Sequence, residues 1–309
     1  MLRNAVHQAT NSKKELAIAW LDLTNAFGSI PHNAIIQSLR GFGFPEEFTS
    51  IVHDLYTDTS TTVRVSGFIT ESISVGSGVK QGDPLSPILF NLALEPLIRA
   101  MKSRFKEPLN IHDVPIQMPA FADDLALVAK NGEELSKMLD SINLLAKNRG
   151  LAFNPKKCST LHIKNGHIQP TKFKINGSNL GILQDGDQYN YLGTEFGKNV
   201  RSCLKTKASQ LLEDLQKIEQ CKLAPWQKVD AIKTFIVTRM AHLIRNGNPF
   251  LGDLKELDRA IKYAILTICK LPHHEPQLIM YMERLIVVDW EFFHLKKNIT
   301  SKASTSFHA

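Results

Sequence analysis

The sequence predicts an α+β fold followed by a purely helical module, and three observations carry that prediction. A breaker-free apolar run, "ELAIAWLDL" at 15–23, reads as a buried strand ending on Asp22. Segments with Ser-Gly and Asn-Gly turns alternate with helical periodicity as far as residue 197. Beyond Gly197 the apolar spacing is helical only, and the charge balance changes at the same point. Residues 1–197 hold 19 Lys/Arg and 19 Asp/Glu, so the whole net charge of +7 falls on 198–309. Such a basic surface suits a polyanionic partner, and equally a solvated, lysine-rich helical face.

Taken in order, "PHNAIIQSLRGFGFPEEFTSIVHDLY" (31–56) predicts two helices, the first stopped at Gly41 and the second opened at Pro45. "TTVRVSGFITESISV" (61–75) predicts a hairpin turning at Ser66-Gly67. "SGVKQGDPLSPILFNLALEPLIRAMK" (77–102) begins as a Gly-rich loop and becomes a helix, with Ser86 as N-cap and Pro87 at the first helical position. Asp83 and Pro84 would shape that start. "QMPAFADDLALVAK" (117–130) predicts a tight hairpin turning on Asp123-Asp124. Asn131 and Glu134 have capping-box spacing before an amphipathic helix that Gly150 ends. "CSTLHI" and "FKINGSNLGIL" predict strands, the latter turning at Asn176-Gly177.

In the second module, apolar positions 204, 208, 211, 215 and 218 mark one helix and 229, 232, 235, 236, 240 and 243 another. Positions 254, 257, 261, 265 and 268 mark a third, and the tail "SKASTSFHA" has no periodicity. The four cysteines lie far apart without C-x-x-C spacing, which fits an intracellular, reducing compartment. Cys269 with His273 and His274 has poor spacing for a metal cluster. No apolar stretch reaches the roughly 18–20 residues of a membrane span, so no membrane partner is expected.

An apolar hairpin does not carry two adjacent aspartates without a reward, since each buried, unpaired charge costs several kcal/mol, roughly. If the strand ending on Asp22 neighbours that hairpin, three carboxylates converge and repel unless a cation lies among them. Magnesium suits carboxylate and phosphate oxygens together, and two such ions about 4 Å apart would serve a phosphoryl displacement.

The flanking segments sharpen this. "AWLDLTNAFGSIPH" resembles the first catalytic motif of reverse transcriptases, with Asp22 followed five residues on by Phe27. "SGVKQGDPLSPILFNLAL" resembles their template- and nucleotide-binding motif, centred on Gln81 and Gly82, and "FADD" their catalytic aspartate hairpin. "RGLAFNPKKC" resembles the next motif, its lysine assigned to Lys157 with Lys156 as the alternative. "YNYLGTEFG" resembles the primer-grip segment, with Tyr191, Leu192 and Gly193 at its core. The wording is similar to the polymerases of non-LTR (LINE-type) retrotransposons, closest to the site-specific branch with a restriction-like endonuclease.

The resemblance implies a palm of antiparallel sheet backed by helices over 1–197, a helical basic thumb over 198–295, and a disordered tail over 296–309. It implies RNA-directed DNA polymerisation by two magnesium ions, with manganese as a substitute, held by Asp22, Asp123 and Asp124. Lys157 would be the fourth catalytic residue, protonating or neutralising pyrophosphate. Leu23, Phe27, Gln81 and Gly82 would meet nucleotide and template, Phe27 selecting deoxynucleotides. Arg201, Lys205 and Lys207 would track duplex phosphates. Partners would be an RNA template, a DNA primer and deoxynucleoside triphosphates, within a longer nuclear polyprotein that also carries an endonuclease. Two features depart from the family: only about 15 residues precede the first strand, where a fingers region is expected, and Gly28 follows Phe27 where many relatives carry a second acid. A catalytically inactive remnant that only binds nucleic acid is therefore the alternative. An RNA-templated RNA polymerase is disfavoured by Phe27 and by the "QGDPLSP" segment.

Overall fold

The computed structural model describes residues 2–111, 113–198, 204–246 and 251–272, in two compact units divided after Val200. The first unit opens with α1 (Leu2–Asn11), β1 (Leu16–Leu21), the short α2 (Ala26–Ser29), α3 (His32–Gly41) and α4 (Glu46–Tyr56). Two small ladders follow, β2 (Ser60–Thr61) with β5 (Ile73–Ser74) and, between them, β3 (Arg64–Val65) with β4 (Phe68–Ile69). Then come α5 (Ser86–Arg104), the paired β6 (Leu109–Ile111) and β7 (Val114–Ile116), β8 (Ala120–Phe121), β9 (Asp124–Ala129) and α6 (Gly132–Lys147). The unit closes with β10 (Ser159–Lys164), β11 (His167–Ile168), β12 (Lys174–Ile175), β13 (Ser178–Asn179), β14 (Gly181–Ile182) and the hairpin of β15 (Tyr189–Tyr191) and β16 (Thr194–Phe196).

The main sheet runs β11-β10-β1-β9-β8, antiparallel throughout, with β14 added parallel to β10. All six residues of β1 are buried because the sheet is covered on both faces. Ala17, Ala19 and Leu21 pack with residues of α3, α5 and α6, among them Leu39, Phe90 and Leu139. Leu16, Ile18 and Trp20 pack on the opposite side with Leu2, Ala5, Val6 and Ala9 of α1. Each of the large apolar side chains among them contributes roughly 1.5–3 kcal/mol by leaving water, the alanines less. The buried residues of α1 follow i, i+3, i+4, i+7 spacing, so a helix stands where the sequence reading placed no element.

Other boundaries shift for identifiable reasons. The turn between β8 and β9 is Ala122-Asp123, with Ala122 at φ +51°, and Asp124 is already a strand residue. Ser86 is the first helical residue of α5 and not its N-cap; its hydroxyl donates to the Lys80 carbonyl at 2.6 Å. Leu85 stands at the N-cap without a side-chain cap, and Asp83 shapes the turn before it, its carboxylate accepting the Leu85 N–H at 2.9 Å. Asn131 does cap α6, accepting from Glu134 N–H at 2.8 Å, while the Glu134 carboxylate reaches back to Lys130 N–H at 2.7 Å.

Glu15, just before β1, ties three elements together. Its carboxylate accepts from Gly132 N–H at the start of α6 (3.1 Å) and from His162 Nε2–H on β10 (3.0 Å), with Lys164 Nζ at 3.4 Å. His162 Nδ1 in turn lies 2.7 Å from the Thr171 hydroxyl, which suits the Nε2–H tautomer. Burial alone would push the Glu15 carboxyl up, but the bonds from Gly132, His162 and Lys164 outweigh it and hold it below the usual 4.5. A carboxyl depressed in the folded state stabilises fully above its unfolded pKa and loses that contribution as pH falls through the folded value. Glu15→Gln is therefore expected to cost about 1–3 kcal/mol at neutral pH. Urea unfolding at several pH values should show the variant and parent converging below pH 4; a constant gap across that range would contradict the assignment.

The second unit contains α7 (Leu204–Gln220), α8 (Pro225–Ala231), a π-helical stretch (Ile232–Val237), α9 (Thr238–Asn246) and α10 (Leu251–Ile268). Leu211, Leu215, Ile232, Ile236, Met240, Leu257, Ile261 and Ile265 form its core. Phe235, counted among the apolar positions, is instead exposed; the buried stripe 232, 236, 240 is too narrow to take its neighbour. Arg201, His273, His274 and the tail 296–309 lie outside the described residues.

Candidate active site

The central register decides which acids meet. Trp20 pairs with Ala126 and Leu21 with Leu125, so the next residue on each strand is an aspartate, Asp22 and Asp124. Asp123 occupies the adjoining turn. All three are partly exposed at one end of the sheet. Burial, and then the charges of Asp123 and Asp22, push the Asp124 carboxyl above its usual range. Among the described residues no group of three or more His, Cys, Asp or Glu is drawn together tightly enough to hold a metal ion. The donor set nevertheless fits a hard divalent cation: carboxylate oxygens only, accessible, and with Asp124 strained by like charge that a cation would relieve.

The backbone of Asp22 is held by the segment that carries Lys157. Its carbonyl accepts from Asn154 N–H at 2.9 Å, and its own N–H donates to Cys158 Sγ at 3.3 Å. Thr24 N–H reaches the Ala152 carbonyl at 2.8 Å, and Leu23 bridges to Phe153. An Asn154 turn, with its side chain accepting from Lys156 N–H at 3.2 Å, then delivers Lys157. The Lys157 ammonium lies 3.8 Å from Asp22 Oδ2 and is largely exposed, whereas Lys156 makes no ion pair among the described residues. Burial pushes the Cys158 thiol up to about 11, so it meets the Asp22 amide as a neutral acceptor. Cys158 was not anticipated; its position after the motif lysine was the available signal.

The hairpin of β15 and β16 turns on Leu192 (φ +51°) and Gly193 (φ +70°), the two positive φ values of a type I′ turn. Tyr191 is buried, its hydroxyl 3.2 Å from the Pro119 carbonyl and 3.4 Å from that of Asp124 itself. Tyr189, also unanticipated, stacks on Trp20 at 5.4 Å and donates to the Lys157 carbonyl at 3.3 Å. Burial, followed by neighbouring negative charge, pushes both phenols up to about 12, which keeps them donors.

Phe27 stacks on Phe90 of α5 at 4.3 Å and remains partly exposed. Gln81 and Gly82 are exposed, Gly82 at φ +88°, where a side chain would be strained. The backbone of Lys205 and Lys207 lies on α7, in the second unit.

The fold is of the polymerase class. It resembles that of apo telomerase from Candida tropicalis, with a TM-score of 0.52 at 14% identity over 92% of this chain and 49% of that one. The chain belongs to the reverse transcriptase (RNA-dependent DNA polymerase) family, matching it over residues 1–196. It is 32% identical, over 84% of its length, to the retrovirus-related Pol polyprotein of the type-2 retrotransposable element R2DM of Drosophila melanogaster. It is 28% identical, over 89% of its length, to the Pol polyprotein of a type-1 retrotransposable element R2 of Popillia japonica. The chain spans 25% and 46% of the lengths of those two relatives.

Proposed function

We infer that this chain is the polymerising part of a non-LTR retrotransposon Pol polyprotein, transferring deoxynucleotides to a primer 3′-hydroxyl on an RNA template. The observation that carries the reading is the cross-strand placement of Asp22 beside Asp124, with Asp123 in the turn and Lys157 next to Asp22. The first unit is the palm and the second the thumb, within a polyprotein that also holds an endonuclease of the restriction-like kind and works in the nucleus.

Asp22, Asp123 and Asp124 would hold two magnesium ions, or manganese in their place. When bound, such ions supply positive charge to the attacking and leaving oxygens. Asp124 opens β9 and Asp22, just beyond β1, is held by its backbone bonds to Asn154 and Cys158, so little reorganisation is needed as charge develops. Lys157 donates its proton to the departing pyrophosphate oxygen, its exposure giving it reach across the site. Leu23, buried in the core and bridged through its backbone to Phe153, fixes the turn beyond Asp22 against which the nucleotide lies. Phe27 limits the sugar to one without a 2′-hydroxyl, and Gln81 with Gly82 presents backbone to the template base. The Tyr191-Leu192-Gly193 hairpin holds the primer end near Asp124, and Lys205, Lys207 and Arg201 follow the duplex phosphates.

Primer extension on an RNA template with the four deoxynucleoside triphosphates tests this. Extension that stops on chelation and returns with magnesium is the expected result. Duplex binding with ordinary salt dependence but no extension at any magnesium or manganese concentration would support the inactive, nucleic-acid-binding alternative.

A further inference from the structure

The segment 76–79 and the turn 27–32 are joined by several hydrogen bonds. Val79 N–H donates to the Phe27 carbonyl at 2.7 Å, and Gly78 N–H to the Ile30 carbonyl at 2.8 Å. The Ser77 hydroxyl donates to the Gly28 carbonyl at 3.2 Å. From the other side His32 Nε2 lies 3.0 Å from the Gly78 carbonyl, its ring against Tyr56 at 4.7 Å. The two backbones touch where these bonds converge. A methyl group on Gly78 would lie 2.9 Å from both Cα and O of Gly28, closer than real contacts allow. Gly78 also has φ +90°, which other residues adopt only with strain.

Ser77 and Gly78 donate their hydrogen bonds to the turn 27–32. Ser77 holds the Gly28 carbonyl, Gly78 that of Ile30 and the adjoining Val79 that of Phe27, so a displacement of the joint reaches Phe27 through its neighbour Gly28 and through Val79. The Phe27 ring is held separately, by its stack on Phe90. Two residues beyond Val79 stands Gln81, so the joint sets the spacing between the ring and the loop. We propose that the Ser77-Gly78 joint positions Phe27 and thereby determines how strictly the site discriminates between deoxyribo- and ribonucleotides. The proposal rests on the reading of Phe27 as the sugar-selecting residue.

Single-nucleotide extension on an RNA template, run with dNTP and with rNTP, gives the ratio of the two kcat/KM values. Merely structural damage lowers both and leaves that ratio unchanged. Gly78→Ala is expected to reduce the preference for dNTP about tenfold, since its methyl must push Gly28 away. Ser77→Ala, which removes one bond and no volume, is expected to reduce it about threefold and decides the matter should Gly78→Ala fail to fold. Phe27→Ala is the control and should reduce it further than either. If Phe27→Ala changes the ratio and Ser77→Ala does not, the joint has no positioning role and the proposal is overturned. If Phe27→Ala leaves the ratio unchanged as well, the sugar-selecting reading itself has failed.

Discussion

Asp22→Asn is expected to lower single-turnover primer extension by on the order of 10^4-fold while leaving the protein folded. The side chain is not what anchors this residue. Its backbone N–H and carbonyl are taken by Cys158 and Asn154, and its carboxylate pairs with the Lys157 ammonium at 3.8 Å. Asparagine keeps the shape and the backbone bonds and removes only the negative charge. Stability should hardly move, because the partly exposed pair with Lys157 contributes only roughly 0–1 kcal/mol and its loss is offset by relief of the repulsion between Asp22 and Asp124. Asp124→Asn should be equally inactive yet melt higher than the parent. Its carboxyl is raised by burial and by two like charges, so the neutral amide relieves a standing penalty. Opposite signs on activity and stability mark a residue kept for chemistry. An Asp22→Asn protein retaining more than a tenth of parental extension would remove Asp22 from the mechanism.

Much of this site was legible in the chain. The breaker-free run 15–23 reads as a buried strand ending on Asp22, and β1 is indeed buried along its whole length with Asp22 emerging just past its end. The turn dipeptides Ser66-Gly67 and Asn176-Gly177 lie where their composition directs, both residues of each at positive φ. The same rule was available for Asn165-Gly166, φ +53° and +80°, and would have yielded the β10–β11 hairpin that went unread. Helix α1 was equally available, since Leu2, Ala5, Val6 and Ala9 are spaced as a helical stripe.

What composition could not reveal depends on partners distant in sequence. Asp123-Asp124 looks like a turn because acids favour turns, yet cross-strand pairing puts Asp124 on β9 and lets Ala122 take the strained position. Cys158 and Tyr189 have no local signature of function; they matter because Asp22 and Lys157 arrive beside them. Phe235 satisfied a helical period but stayed exposed, since the period says which residues share a face and not how wide the covered stripe is.

Trp20→Ala should be the most damaging single change to stability, costing about 3–5 kcal/mol. That is a large share of the roughly 5–15 kcal/mol that holds a typical domain together. Trp20 is fully buried in the middle of the sheet, on the α1 face, with Tyr189 at 5.4 Å and Phe196 at 6.3 Å. Its loss opens a void beneath the β15–β16 hairpin that rigid strands cannot collapse into. Trp20 Nε1 has no hydrogen-bond partner among the described residues, so the indole serves by volume alone. Trp20→Phe therefore forfeits no hydrogen bond and should cost clearly less than the alanine change, as a drop in urea midpoint would show. Function should fall further than stability in the alanine variant. Without the stack, Tyr189 loses the support that aims its hydroxyl at the Lys157 carbonyl, and Lys157 loses its fixed distance to Asp22. Extension measured per folded molecule should therefore decline in Trp20→Ala and be largely kept in Trp20→Phe. Equal specific activity in the two would mean that the hairpin and the lysine segment are held independently of the tryptophan.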